Sequence, residues 1–230
     1  AESTWNSELE PRTKDELLTA KLSILLAQRQ FSEVLEECGE IKNTDSFSQE
    51  NRISFALNHW YALFQLNKLN EAEQILKDLI KMDSSQHPKW TYLGSYLYFK
   101  QQNTKAAQRQ IHANQNSLKC HPDYYLGSKM LELMMLFDQN DQDWLEYKIE
   151  NFRKLISRYK ANTSTRIHHA FHLLLKLHKS LFKPEALDLI QNPDFFTLQN
   201  EPEGLEWKPD TFELIRYDSW IYATVKRKKS

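Results

Sequence analysis

The sequence predicts an all-α fold, and three observations support that prediction. Only 4 of the 230 residues are glycine, whereas β-rich and phosphate-binding proteins need glycine for tight turns and close backbone approach. Leu, Lys, Glu, Gln and Ala, which favour helices, are plentiful along the chain. Apolar residues also recur at helical spacing, most clearly where Trp90, Leu93 and Leu97 share one helix face.

Helical spacing divides the chain into pairs of helices joined by short turns. Pro88 suits the first turn of the clearest helix, and the partner of that helix begins near Thr104. The other predicted helices cover residues 15–28, 31–41, 52–65, 71–82, 124–137, 143–159, 163–182, 184–191 and 210–226. Residues 192–210 contain three prolines, so the sequence predicts a loop there.

Small residues recur in this pattern at a nearly constant spacing. Ala72 lies 34 residues before Ala106, and Gly127 lies 33 residues after Gly94. A small residue lets paired helices approach closely, and a large one fills the gap beside it. The segment with Trp90, Leu93, Gly94 and Ala106, and with Leu97 in place of Tyr, resembles a tetratricopeptide (TPR) repeat, whose length is about 34 residues. The preceding pair departs from the pattern, because Trp60 replaces its small residue.

Carried along the chain, the TPR resemblance implies a right-handed α-solenoid of about five helix pairs over residues 12–191. Residues 192–230 would then supply a loop, a C-terminal capping helix that covers the last exposed face, and a basic tail that starts at Lys226. The C-terminus also resembles the ends of uncharacterised TPR-type proteins from Bacteroidetes. The matching residues are Tyr217, Asp218 and Trp220.

Composition and charge narrow the possible classes of function. The formal net charge is −1, so there is no basic field to hold a nucleic-acid backbone. No run of about 18 apolar residues occurs and no signal peptide is visible, so we expect a soluble, cytoplasmic protein without a membrane span. Cys38 and Cys120 do not make a disulfide framework, and we expect both to pack at or near the core.

Motifs for catalysis and for cofactor binding are missing from the sequence. It contains no Gly-x-Ser-x-Gly, no phosphate loop and no dinucleotide fingerprint, which favours a non-catalytic protein without a cofactor. His168 and His172 lie at i and i+4, as in zinc-binding helices. A zinc protease would need Glu where His169 stands, and no third ligand follows at a clear spacing. A metal site is therefore disfavoured.

The TPR resemblance also places a set of aromatic and polar side chains on one surface, because the first helix of each TPR pair lines the concave side. The residues placed there are Asn58, Tyr61, Gln65, Thr91, Tyr92, Ser95, Tyr98, Tyr124, Tyr125 and Ser128. Tyrosine combined with amides and hydroxyls buries area and keeps hydrogen-bonding groups, which suits an extended peptide or a partner helix. The alternative is that several of these tyrosines only pack between adjacent repeats.

The favoured function is protein–protein interaction, in which a scaffold or adaptor holds a protein or peptide partner in the concave groove. The alternative is a sensor or regulatory module in the C-terminal part of a longer protein, because the chain begins at Ala1 and not at methionine. A histidine-dependent metal site or enzyme is the third hypothesis. The identity of the partner and the oligomeric state do not follow from the sequence.

Overall fold

The computed structural model of the chain describes residues 11–41, 43–159, 165–179, 189 and 191–229. All regular structure in these residues is helical, with no strand among them, which confirms the predicted all-α class. None of the described helices is long and apolar enough to cross a membrane. The chain forms two compact units, residues 1–103 and residues 104–230, which are taken in turn.

The described part of the first unit contains five helices, which lie close to where apolar spacing predicts them. They are α1 (Pro11–Ala27), α2 (Phe31–Glu40), α3 (Gln49–Gln65), α4 (Leu69–Met82) and α5 (His87–Lys100), with a 3₁₀ turn at Ser84–Gln86. Local sequence starts two of them. The Ser48 hydroxyl accepts a hydrogen bond from the backbone N–H of Asn51 ahead of α3, and Pro88 lies in the first turn of α5. Consecutive helices pack together, and α1 also packs against α3.

The core of the first unit contains Trp60, which is fully buried. Its ring stacks on Phe64 one turn later, with ring centroids 4.9 Å apart. Helix α4, which packs against α3, contributes the fully buried Ala72. The small side chain of Ala72 allows the two helices to approach closely. The predicted departure at Trp60 thus places a large side chain in the core, and Ala72 remains the small residue of this pair.

The same left-handed turn ends a helix at four places among the described residues. Each turn has one residue with φ between 58° and 64°, and these residues are Arg29, Asn67, Gln102 and Asn140. The N–H of that residue bonds the carbonyl three residues earlier, and the next N–H bonds the carbonyl five residues earlier, which is the Schellman arrangement. The following helix begins two residues after the left-handed residue in every case. One local geometry therefore joins successive helices four times.

The second unit contains seven described helices. They are α6 (Thr104–Ala113), α7 (Gln115–Lys119), α8 (Pro122–Gln139), α9 (Gln142–Arg158), α10 (Thr165–Lys179), α11 (Pro193–Asn200) and α12 (Tyr217–Lys229). Consecutive helices pack together here too, α8 also contacts α6, and α12 also contacts α10. The helix predicted over 184–191 lies outside the described residues, apart from Leu189 and Gln191.

The C-terminal part of the second unit differs from the sequence prediction in two places. Residues 192–210, predicted as a loop, contain α11, because Pro193 lies in its first turn and the Asn192 side chain accepts a hydrogen bond from the N–H of Asp194. Proline and a capping residue begin a helix here and do not interrupt one. The last helix begins at Tyr217 and not at residue 210, and its first N–H donates to the carboxylate of Glu213 at 2.9 Å.

Arg166 on α10 holds the segment between α11 and α12. The residue is 4% exposed, and its guanidinium donates two hydrogen bonds to Glu213, at 2.6 and 2.9 Å. It also donates to the backbone carbonyls of Leu198 and Leu205. Burial raises the pKa of Glu213, although the hydrogen bonds from Arg166 work in the opposite direction. A buried carboxylate needs a partner of opposite charge. Arg166 therefore allows Glu213, in the segment between α11 and α12, to be buried.

The two cysteines differ in burial. Cys38 on α2 is buried, and burial raises the pKa of its thiol to about 12. Cys120, directly after α7, is exposed. The expectation that both pack at or near the core therefore holds for Cys38 and not for Cys120.

Candidate functional site

Most of the residues predicted for the concave groove are buried in the structure. Six are 6% exposed or less, and these are Asn58, Tyr61, Thr91, Tyr92, Ser95 and Ser128. Gln65, Tyr98, Tyr124 and Tyr125 are half-buried. Two of the buried hydroxyls donate to carbonyls of their own helices, Ser95 to Thr91 at 2.7 Å and Ser128 to Tyr125 at 2.8 Å, and the Asn58 amide donates to the Ser23 hydroxyl on α1 at 3.2 Å. As a set, they do not present an exposed surface.

The histidines of α10 form a cluster that differs from the predicted His168–His172 pair. Nδ1 of His169 lies 2.9 Å from Oδ1 of Asp194, and Nδ1 of His172 lies 3.6 Å from the same oxygen. Lys176 binds the other carboxylate oxygen at 2.8 Å. Partial burial opposes ionisation of Asp194, but the hydrogen bonds from Lys176 and His169 outweigh it and lower the pKa of this carboxyl. These contacts link α10 to α11. Among the described residues no group of three or more His, Cys, Asp or Glu side chains is arranged to hold a metal ion.

The second unit has a cleft beside α9. It consists of two adjoining cavities, which we call the α9 cleft, with volumes of about 240 and 290 Å³. The first cavity lies among α7, α8 and α9, and the second among α6, α8 and α9. Glu132 and Lys148 line both cavities. Of the predicted groove residues, Tyr125 lines the first cavity.

Glu132 is the electrostatic centre of the α9 cleft. It is 4% exposed, and each of its carboxylate oxygens binds one lysine ammonium, Lys129 at 2.5 Å and Lys148 at 3.0 Å. Nε2 of His112 lies 3.8 Å from the first of these oxygens. Tyr125, Lys129 and Glu132 follow one another at i, i+4 and i+7, so α8 presents them on one face. A buried carboxylate without these cations would be strongly destabilising.

Two large aromatic side chains lie exposed at the edge of the cleft. Trp144 lines the second cavity and Tyr147 the first, and each is 59% exposed. Their rings are in edge-to-face contact, with centroids 6.1 Å apart. The opposite face of α9 is buried in the core, as the sequence predicted for Leu145, Ile149, Phe152 and Ile156. Tryptophan is usually highly buried, so an exposed Trp–Tyr pair on a packed helix points to a contact surface.

Trp144 and Tyr147 lie in the first two turns of α9. The Asp141 carboxylate accepts a hydrogen bond from the N–H of Trp144 at 3.3 Å and caps the helix. Sequence reasoning missed Trp144 and Tyr147, although aromatic residues at outward positions of an amphipathic helix were a usable signal. It also missed Glu132, which stands alone as an acidic residue in the apolar run from Met130 to Phe137.

Comparison of the chain with models of protein families, with curated proteins and with solved structures found no match. The inference of function therefore depends on the chain's own residues. Their geometry offers an exposed aromatic pair, two small cavities and a buried carboxylate bound by two lysines.

Proposed function

We propose that this chain is a non-catalytic protein-binding module, a scaffold or adaptor, and that a peptide segment of its partner docks in the α9 cleft. The observation that carries the proposal is the exposed pair of Trp144 and Tyr147 at the edge of two cavities. The binding surface proposed here lies on α8 and α9, and not on the buried residues that the concave-groove prediction selected.

The aromatic pair is suited to supply most of the binding energy. Tryptophan and tyrosine are the residues most enriched among those that dominate protein interfaces. Covering the exposed part of each ring would contribute about 2 to 4 kcal/mol before the costs of association. Both side chains extend from one packed helix, so little backbone entropy is lost when a partner binds.

Paired polar groups in the cleft are suited to orient the partner segment. Each oxygen of the buried Glu132 carboxylate already binds a lysine, so a partner does not have to supply a cation for it. Gln108 and Gln115 line the two cavities with amide groups that offer both donors and acceptors to a peptide backbone. This arrangement favours a polypeptide over an apolar small molecule.

The proposed architecture remains a right-handed α-solenoid of TPR-like helix pairs. The support for it is the repeated Schellman turn, which returns every 35 to 38 residues from Arg29 to Asn140. A repeat protein joins equivalent helices by equivalent turns. In such an array each helix pair contributes part of the surface, and the α9 cleft would be the part that binds the partner.

Selection of random 12-residue peptides on the immobilised chain tests the proposal. We expect enriched peptides to contain aromatic or aliphatic residues, and their affinity, measured by titration calorimetry, to fall about 100-fold or more in Trp144→Ala/Tyr147→Ala. Both side chains are exposed, so the double variant should keep its free energy of unfolding within about 1 kcal/mol.

Tyr222→Ala is the matched control, because Tyr222 is an exposed aromatic residue (54%) on α12. Its replacement should leave peptide affinity unchanged. The proposal is wrong if no peptide is enriched, or if enriched peptides bind the double variant as tightly as the original chain.

A further inference from the structure

The first cavity of the α9 cleft carries more positive than negative charge. Lys129 and Lys148 both point at the single carboxylate of Glu132, and among the residues that the structure describes these three are the charged side chains that line this cavity. One unit of positive charge is therefore left over. The side chain of Lys129 is only 13% exposed and that of Lys148 is 27% exposed, so solvent screens this charge less than it would on an open surface.

The two ammonium groups also have hydrogen-bonding capacity left. Each ammonium has three donors, and each donates one hydrogen bond to Glu132. Gln115 and Asn151 add amide groups to the lining of the same cavity. An entering oxygen acceptor would therefore meet several donors within one small volume.

A single carboxylate matches this surplus better than a phosphate does. A carboxylate carries one negative charge, which balances the one excess cation. A phosphate monoester carries between 1.5 and 2 negative charges near pH 7 and would face the buried Glu132 with its second charge uncompensated. Charge complementarity of this kind sets specificity in interfaces.

The rest of the cavity lining is apolar and would suit an apolar group next to such a carboxylate. Phe152 and Leu155 line the cavity together with the ring of Tyr147. Tyr147 and Leu155 are eight residues apart on α9, so the lining runs for about 12 Å along the helix. This length exceeds one carboxylate and accommodates a continuing peptide.

We infer that the first cavity of the α9 cleft receives the carboxylate of an Asp or Glu side chain in the partner segment, between Lys129 and Lys148. This inference rests on the proposed function, because the same peptide places its apolar residues on Trp144 and Tyr147. The acidic side chain lies within the segment and not at its C-terminus, since the cavity lining continues past the two lysines.

Peptides enriched on the chain provide the probe. We expect them to contain an acidic residue at a constant distance from an apolar one. Replacing that Glu by Gln, or Asp by Asn, should weaken binding about 10- to 30-fold, because a hydrogen bond to a charged group is lost. Amidation of the peptide C-terminus should change the affinity less than twofold.

A double-mutant cycle with Lys148→Gln locates the carboxylate. In this variant Glu132 keeps Lys129 as its partner, so thermal unfolding should still be cooperative, and the peptide Glu→Gln change should then cost twofold or less. Lys154→Gln is the control, since Lys154 is an exposed lysine on the same helix and outside the cleft lining. In Lys154→Gln, the peptide Glu→Gln change should still weaken binding as much as it does in the original chain.

The outcomes separate this inference from the proposed function. Peptides that need Trp144 and Tyr147 but tolerate loss of their acidic side chain refute the carboxylate site alone. Loss of binding on C-terminal amidation, without an effect of Glu→Gln, would place a chain terminus in the cavity and also refute it. Failure to enrich any peptide would refute the proposed function, and the carboxylate site with it.

Discussion

Replacing Arg166 by methionine tests how far the C-terminal part of the second unit depends on one buried cation. The substitution keeps most of the side-chain volume and removes the hydrogen bonds that the guanidinium donates to Glu213, Leu198 and Leu205. Glu213, which is 2% exposed, would be left as a buried carboxyl without its main partner.

The magnitude follows from the geometry of the pair. Removing one partner of a buried ion pair costs about 3 to 5 kcal/mol, because the other charge stays buried without compensation. The backbone carbonyls of Leu198 and Leu205 also lose a donor. We therefore expect the free energy of unfolding to fall by about 4 kcal/mol. With a urea m value of about 2 kcal/mol/M, the unfolding midpoint would fall by about 2 M.

Equilibrium unfolding in urea, followed by tryptophan fluorescence, measures this loss. Trp207 is a local reporter, because its indole N–H donates to the backbone carbonyl of Glu213 at 2.6 Å. Arg153→Met is the control, since Arg153 forms an exposed salt bridge with Glu150. Exposed pairs of this kind contribute less than about 1 kcal/mol, so the control should barely shift the midpoint.

The pH dependence gives the prediction a second signature. Burial already raises the pKa of Glu213 in the folded chain, and loss of Arg166 removes the groups that lower it, so the variant's folded pKa rises further. The stability difference between the two chains therefore grows as pH rises through the window between these two folded pKa values. We expect the loss to grow as pH rises above the ordinary carboxyl range. A loss below 1 kcal/mol, or a loss that does not change with pH, would contradict the reasoning.

Two further perturbations test the buried amine of the first unit and the cap of α11. Burial lowers the pKa of Lys100 to about 8, so the unfolded chain binds more protons than the folded one between that value and about 10.4. The urea-unfolding free energy should therefore rise by about 1 to 2 kcal/mol from pH 8 to pH 10, and Lys100→Met should abolish this rise; an identical rise in both chains would refute the assignment. Asn192→Ala removes the side chain that caps α11 and should lower the unfolding free energy by about 1 kcal/mol, whereas Asn192→Asp should retain most of it. A melting temperature equally low for both Asn192 variants would show that capping is not the cause.

Helix positions followed from the sequence where one face of a helix is apolar. On α9 the predicted inward residues Leu145, Ile149 and Phe152 are buried, because spacing of three and four residues identifies the face that loses water. The same principle does not identify an exposed face on α5. Every residue from Trp90 to Leu97 is buried there. The spacing of apolar residues therefore cannot show which face of α5 points to solvent.

The conformation of the helix ends and the pairing of distant side chains were harder to predict than the helices. The four repeated turns use Arg29, Asn67, Gln102 and Asn140 at positive φ, a conformation that usually selects glycine, so the usual signal for a helix end is missing. Likewise, the pairing of Glu132 with Lys148 joins residues 16 positions apart on two helices, and no local pattern reveals which lysine turns inward.

The two cysteines differ enough in exposure for one of them to be labelled selectively with a spectroscopic probe. A maleimide reacts with the thiolate, and with a thiol pKa of about 12 and a buried side chain Cys38 is protected near neutral pH. Cys120 is exposed directly after α7, the short helix that contributes Gln115 to the first cavity. A single dye at Cys120 therefore lies at the end of a helix that lines the cleft, and no cysteine has to be added or removed to follow binding in the cleft by fluorescence.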